Sequence, residues 1–414
     1  MMEVVVIGNG VAGEAACSTI RKKTKEIRLT LISEEPFPLY SPCVLPHYIS
    51  KEIKRSKIFL KSLRDYGKER IHCILGHKVE RIDPTRKMLF SHGQEVIYDK
   101  LILATGARPI VPSIEGIQKK GIRVFKSLKD ADRILRTRGR KVVVIGSGLI
   151  GVQLAIALCK RRWEVCLVEV LDWILPNLFD EKASLIVKKI LESKGINVLT
   201  GTKVLGIEGK IRVNGVVTDK MGKLKADMVV MTVGMRPNVD IAREAGIKIG
   251  ELGGILTNDS METNIRDIFA CGDCVEGKDP FSLRPKLSLL WPQAERQGKV
   301  AGYNSIDGHC SIQWTPDAVN LDVFGTFAGA IGQPARAMRS SDIEIIDAEK
   351  NQCYHSLVIS NGRLVGAQFI GNHEGMGIFF PLIGKNCEGI FRKVRNDGSL
   401  VQFPWYYPIK NFLI

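Results

Sequence analysis

Two stretches of this chain follow one plan, and the repetition limits the folds open to it. Residues 3–20, EVVVIGNGVAGEAACSTI, read as a buried strand, a glycine-rich turn and an amphipathic helix. Gly8, Gly10 and Gly13 fit the pattern G-x-G-x-x-G. In that pattern the first glycine permits a tight turn, the second lets backbone approach a pyrophosphate, and the third allows close helix–strand packing. The helix start at Val11 and Ala12 supplies N–H donors and a positive dipole end to the phosphates. A second strand, RLTLIS at 28–33, runs into Glu34 and Glu35. An acidic side chain at that distance takes the ribose hydroxyls. Glu34 follows the strand directly and is the better placed.

The unit recurs at 141–158, KVVVIGSGLIGVQLAIAL, with Gly146, Gly148 and Gly151, and with Leu149 and Ile150 opening the helix. The strand EVCLVE at 164–169 then ends on Glu169, where a ribose-reading residue belongs. A carboxylate there accepts hydrogen bonds from a 2′-hydroxyl and repels a 2′-phosphate, which favours NAD(H) over NADP(H). One such loop is a weak signal. Two of them, each after a valine-rich strand and each with an acidic residue at the right distance, are a strong one.

Three further segments complete a pattern. LILATGARP at 101–109 is an apolar strand ending in Ala104, Thr105 and Gly106, with Arg108 beyond. MVVMTVGMRPN at 228–238 has the same form around Gly234, and TNIRDIFACGDC at 263–274 runs a strand into Gly272 and Asp273. In this order the motifs resemble the flavin-linked pyridine nucleotide–disulfide oxidoreductases over roughly residues 1–310. The resemblance implies FAD in the first glycine loop, NAD(H) in the second, and Asp273 on the ribitol of FAD. A carboxylate at a strand end beside a glycine can accept a hydroxyl hydrogen bond. In relatives the helix matching 287–304, LSLLWPQAERQGKVAGYN, points its N-terminus at the flavin pyrimidine ring. Pro292 suits the first turn of that helix, and a positive dipole end there would stabilise reduced flavin. Trp291 sits either near the ring or in the core.

Such a scaffold passes a hydride from NADH to FAD, and what lies beyond the flavin sets the function. The two-cysteine branch of the family uses a C-x-x-x-x-C pair, and none is present; Cys17 falls on the first helix as a small apolar residue. Cys43, in LYSPCVLPHYIS at 39–50, resembles the redox cysteine of the single-cysteine branch: CoA-disulfide reductases, NADH oxidases and NADH peroxidases. Pro46 lacks an N–H and fits only the first turn of a helix, so the helix starts near 43–45. A thiol at that point feels unsatisfied N–H groups, which favour the thiolate. The resemblance places Ser41, Pro42 and Cys43 beside the flavin. Tyr40-Ser41-Pro42 and the ACGDC segment are also similar to nitrite-reductase-like and rubredoxin-reductase-like flavoproteins, in which that cysteine is absent. The peroxidase branch carries a histidine in its first glycine loop, where this chain has Asn9, Gly10 and Val11. Gln153 stands where many relatives hold the nicotinamide with a glutamate. His47 and His355 are expected at the surface or as caps.

Charge separates the remaining readings. Of the formal net charge of +16, the first 141 residues carry a surplus of 14, with 29 Lys and Arg against 15 Asp and Glu. A basic face steers an acidic protein or an anionic small molecule. Aromatic residues do not interleave with the basic runs, which argues against nucleic acid. The ten cysteines lack the spacing of a disulfide framework, and Cys271-x-x-Cys274 has no second pair to make a zinc site. No run of eighteen apolar residues suggests a membrane span, and the N-terminus enters a strand at once, which points to the cytosol.

The expected fold is α/β: two Rossmann-like three-layer domains, for FAD and NAD, plus a C-terminal α+β interface domain. Residues 1–110 and 240–310 form the FAD domain, 111–239 the NAD domain and 311–414 the interface domain, which in the family pairs two subunits as a homodimer. The first functional expectation is NADH to FAD to Cys43 to a small disulfide or persulfide such as CoA disulfide. The second is an electron-transfer reductase for an acidic carrier protein with an inert Cys43, and the third a redox-responsive binding protein.

Overall fold

The computed structural model describes residues 1–282, 284–338, 343–350, 353–371 and 376–386. They form two compact units. The first comprises Met1–Ile110, Lys126–Ala131 and Gly234–Thr315; the second comprises Val111–Phe125, Asp132–Val233 and the described residues from Pro316 onward.

In the first unit a five-stranded parallel sheet runs in the order His72–Leu75, Arg28–Ser33, Glu3–Ile7, Lys100–Leu103, Ile268–Ala270. The central strand is apolar on both faces because helices or loops cover both. Its alternation feeds two cores. Val4 and Val6 pack with Leu29, Leu31, Ala16 and Ala301 on one side. Val5 and Ile7 pack with Leu89, Leu101, Leu103 and Val239 on the other. On the first side lie the helices Val11–Lys23 and Trp291–Asn304. They approach so closely that a Cβ on Gly298 would lie 2.2 Å from the Ala12 carbonyl oxygen, and one on Gly302 2.5 Å from that of Ala16. Glu3–Ile7 pairs in register with Arg28–Ser33 on one edge and Lys100–Leu103 on the other. The next two strands of this sheet in the chain lie to one side of Glu3–Ile7 and the last two to the other, which makes this strand's end the switch point at which open α/β sheets bind ligands.

The second unit repeats the arrangement: Asn197–Leu199, Glu164–Val168, Lys141–Ile145, Met228–Met231, Ile122–Val124, all parallel. Val142, Val143 and Val144 are buried at its centre. A five-stranded antiparallel sheet follows, ordered Ala318–Val323, Thr326–Gly332, Arg363–Gly371, Cys353–Ser360, Ile343–Lys350. Asp180 joins the parallel part of this unit to that sheet: its Oδ2 accepts from Gln368 Nε2 at 2.5 Å and its Oδ1 from the Ala335 N–H at 2.9 Å. The architecture is the α/β one expected from the sequence.

One of the two histidines needs correction. His355 is only 4% exposed, inside the antiparallel sheet and edge-on to Phe369 at 5.2 Å. Residues 354–360 are buried without alternation, because both faces of their strand are covered. His47 is exposed, as expected, but has a partner: its Nδ1 lies 2.5 Å from Glu52 Oε2. Cys271 and Cys274 are fully buried thiols, and burial pushes both pKa values up. Among the described residues no helix is long and apolar enough to cross a membrane, and no cluster of three metal-ligating side chains occurs.

Candidate functional site: two glycine loops and the Cys43 segment

The three glycines of the first loop meet three different constraints. Gly8 has φ +111°, and a Cβ there would lie 2.0 Å from the Ala104 carbonyl oxygen. A Cβ on Gly13 would lie 1.9 Å from the carbonyl oxygen of Gly8. Around Gly10 a Cβ would meet nothing within 4 Å. The first helical hydrogen bond runs from Glu14 N–H to Gly10 O at 3.0 Å, so the amides of Val11, Ala12 and Gly13 have no partner within the helix. Open space above a glycine, beside three such amides, is the cradle that an anionic pyrophosphate fits.

The second loop repeats this almost atom for atom. Gly146 has φ +97° and would push a Cβ to 2.5 Å from Thr232 O; Gly151 would push one to 2.0 Å from Gly146 O. Gly148 is open, and Val152 N–H to Gly148 O, 3.0 Å, begins the helix. Thr232 Oγ1 adds bonds to the carbonyls of Ile145 and Gly146, at 2.9 and 2.8 Å.

The acidic residues differ between the loops. Glu34 is exposed at its strand end. Neighbouring Glu35 accepts from Tyr40 Oη at 2.7 Å; burial raises its pKa, and the tyrosine hydrogen bond opposes that rise. Glu169 is 7% exposed and accepts from Ser147 N–H at 2.8 Å, Ser147 Oγ at 2.7 Å and Leu171 N–H at 3.0 Å. Gln153 is half-buried on the second loop's helix.

Asp273 follows Gly272, which has φ +83° and whose N–H donates to buried Gln297 Oε1 at 2.8 Å. The carboxylate lies 3.0 Å from Lys126 Nζ. Neither Gln297 nor Lys126 was anticipated: each meets its partner only through the fold, and a lone Gln or Lys in a helix or loop carries no pattern. Thr105 and Asn238 bond reciprocally, Thr105 Oγ1 to Asn238 O at 2.6 Å and Asn238 Nδ2 to Thr105 O at 2.9 Å. Arg108 reaches Asn238 Oδ1 at 3.0 Å and Asp240 Oδ2 at 2.8 Å, and its guanidinium holds the Asp240 carboxyl below the usual range. Gly234, at φ +119°, opens the short strand Met235–Pro237, which pairs antiparallel with Ala107–Pro109.

Cys43 is exposed, within a single 3-10 turn Pro42–Val44 that leads into the helix Leu45–Ile49 with Pro46 in its first turn. Ser41 N–H donates to Ile58 O at 3.2 Å. What ties this segment to the first glycine loop is a clamp that sequence reading missed. Asn9 Nδ2 donates to Phe37 O at 3.1 Å, Tyr66 Oη donates to Asn9 Oδ1 at 2.8 Å, and Leu39 N–H donates to Tyr66 Oη at 3.0 Å. Tyr40 Oη also accepts from Leu128 N–H at 3.1 Å. Residues 37–40 are therefore held on two sides, three residues before the thiol. Trp291 and Pro292 open the helix Trp291–Asn304, with Trp291 half-buried against the core that includes Ala12.

Comparison with known proteins gives a consistent set of similarities. The family described as pyridine nucleotide-disulphide oxidoreductase matches residues 2–298. An NADH oxidase of Methanocaldococcus jannaschii is 33% identical over 395 residues, which are 92% of this chain and 88% of that protein. A nitrite reductase (NAD(P)H) of Bacillus subtilis is 29% identical over 93% of this chain, which spans about half of that protein, 48%. The structure of an NAD-dependent persulfide reductase from A. fulgidus superposes with a TM-score of 0.89 at 29% identity, covering 95% of this chain and 79% of that one.

Proposed function

The chain belongs to the pyridine nucleotide-disulphide oxidoreductase family, and from that premise we propose that it reduces a small disulfide or persulfide through Cys43. It is an FAD-dependent NADH oxidoreductase. In the proposed arrangement FAD lies on Gly8, Gly10, Gly13, Glu34 and Asp273, and NAD(H) on Gly146, Gly148, Gly151 and Glu169. Bound flavin would supply two-electron transfer from NADH to a sulfur acceptor.

The observation that carries the reading is the clamp of Asn9 and Tyr66, which ties the segment leading to an exposed Cys43 to the first glycine loop. The Cys43 thiolate attacks one sulfur of R–S–S–R′; a bond to Cys43 forms, the S–S bond breaks, and R′–S⁻ leaves and takes a proton from water. Two electrons originating in NADH then cleave the Cys43–S–R bond, restoring the Cys43 thiolate and releasing R–S⁻, which takes a proton from water. Lys51, Lys54, Arg55 and Lys57 follow in the chain and are exposed. Arg55 lies over Phe37 and Phe59, 5.4 and 5.7 Å from the ring centroids, on the segments flanking Tyr40. Such a group suits an anionic substrate, with CoA disulfide the example chosen. A cytosolic homodimer completes the proposal.

Replacing Cys43 with serine tests it. Turnover with CoA disulfide or polysulfide should fall by at least about a hundredfold, with FAD still bound. Undiminished turnover would remove the reading.

A second reading has its own observation, the concentration of nearly all net positive charge in the first 141 residues. It is electron transfer to an acidic carrier protein. That reading requires rates that drop steeply with added salt and survive Cys43→Ser.

A further inference from the structure

The two glycine loops diverge at their second position. In the first loop Asn9 turns its side chain to Phe37 O and Tyr66 Oη, and leaves Glu34 exposed. In the second loop Ser147, fully buried, gives both of its donors to a single oxygen of Glu169. We propose that Ser147 is a positioning residue that sets the preference for a 2′-hydroxyl over a 2′-phosphate at the second loop, acting through Glu169. The inference rests on the reading of Glu169 as the ribose-facing residue.

The geometry makes Glu169 stiff. Its backbone is pinned at the strand end, with its N–H donating to Leu199 O at 2.8 Å and its carbonyl accepting from Thr202 N–H at 2.8 Å. Its side chain takes three donors, two from Ser147 and one from Leu171. An ionised carboxylate has about four lone-pair positions, so one remains for a ribose hydroxyl. A 2′-phosphate offers acceptors and negative charge only. Against a carboxylate free to swing aside, the repulsion would be relieved by a change of rotamer; against one held by Ser147 it is not. Discrimination is the difference between two binding free energies, and a repulsive group contributes to it only while it stays in place. The division between the loops fits their assigned ligands. FAD presents no 2′-phosphorylated rival, so nothing requires Glu34 to be held; nicotinamide dinucleotides come in both forms.

The test uses the FAD-loaded protein and isothermal titration with NAD⁺ and NADP⁺, which bind without reducing the flavin. S147A should lower the ratio of the NADP⁺ to the NAD⁺ dissociation constant by about three- to tenfold, the effect of losing one hydrogen bond of the three that hold the carboxylate. S147G, which keeps the N–H but removes the hydroxyl, should do the same and guards against a packing fault in S147A. In an E169A background the ratio should already be low, and adding S147A should change it no further, because the two residues act as one unit. If E169A collapses the ratio while S147A and S147G keep the wild-type value, the inference about Ser147 fails and the reading of Glu169 stands. If E169A leaves the ratio unchanged, Glu169 does not read the ribose and both fall.

Discussion

Gly8 and Gly10 are two residues apart and answer to opposite constraints. Gly8 lies in the left-handed region with the Ala104 carbonyl 2.0 Å from where a Cβ would sit. Gly8→Ala should therefore cost about 3 kcal/mol or more, since strain and overlap coincide. Gly10 has φ −82° and open space around its missing Cβ. Gly10→Ala should leave the apoprotein within about 1 kcal/mol of wild type, yet weaken FAD by about tenfold, the equivalent of one or two lost backbone hydrogen bonds. Thermal unfolding of the apoprotein and FAD titration separate the two effects. Unchanged FAD affinity in Gly10→Ala would mean that the space above Gly10 is not where the pyrophosphate goes.

At the scale of elements, the contact between helices Val11–Lys23 and Trp291–Asn304 depends on glycine. Gly298→Ala and Gly302→Ala would drive methyl groups against the Ala12 and Ala16 carbonyls. Each should cost about 1–3 kcal/mol as overpacking. Gly298→Ala should also loosen bound FAD, since adjacent Gln297 holds the Gly272–Asp273 turn. Gly67→Ala is the control: it lies in the helix Leu63–Lys68 with nothing within 4 Å of a Cβ, and should gain up to about 1 kcal/mol from helix propensity. A second element-level device is Asp227, whose carboxylate accepts from Arg140 N–H at 2.8 Å and Lys141 N–H at 2.9 Å where the central strand of the second unit begins. Those two bonds lower its pKa from the ordinary 3.8. A depressed carboxylate contributes stability that is fully present above its unfolded pKa and lost as pH falls through the folded one. Asp227→Asn should thus cost about 1 kcal/mol at pH 7, and the difference from wild type should vanish in acid below the ordinary carboxylate range. A difference that persists there would assign the effect to packing.

Across the whole molecule, what could be read from sequence is what covalent geometry imposes locally. The glycine loops were legible because only glycine satisfies the turn at Gly8 and the helix contact at Gly13, and the strands because continuous valine runs suit a sheet covered on both faces. The features that tune the site were not. Tyr66 reaches Asn9 across 57 residues, Lys126 reaches Asp273 across 147, and Ser147 finds Glu169 only once two strands pair in register. His355 was misplaced for a related reason: its strand offers no alternation when both faces are covered. Local pattern gave the fold's repeated halves, whereas the polar contacts between distant segments emerge only in three dimensions. Exchange of electrons between Cys43 and the flavin is the proposed step on which the function turns, and anaerobic NADH titration of protein first oxidised with CoA disulfide measures it. The prediction is that wild type consumes about two NADH per FAD, one for the flavin and one for the mixed disulfide, and Cys43→Ser about one. Consumption of about one equivalent by both proteins would contradict it.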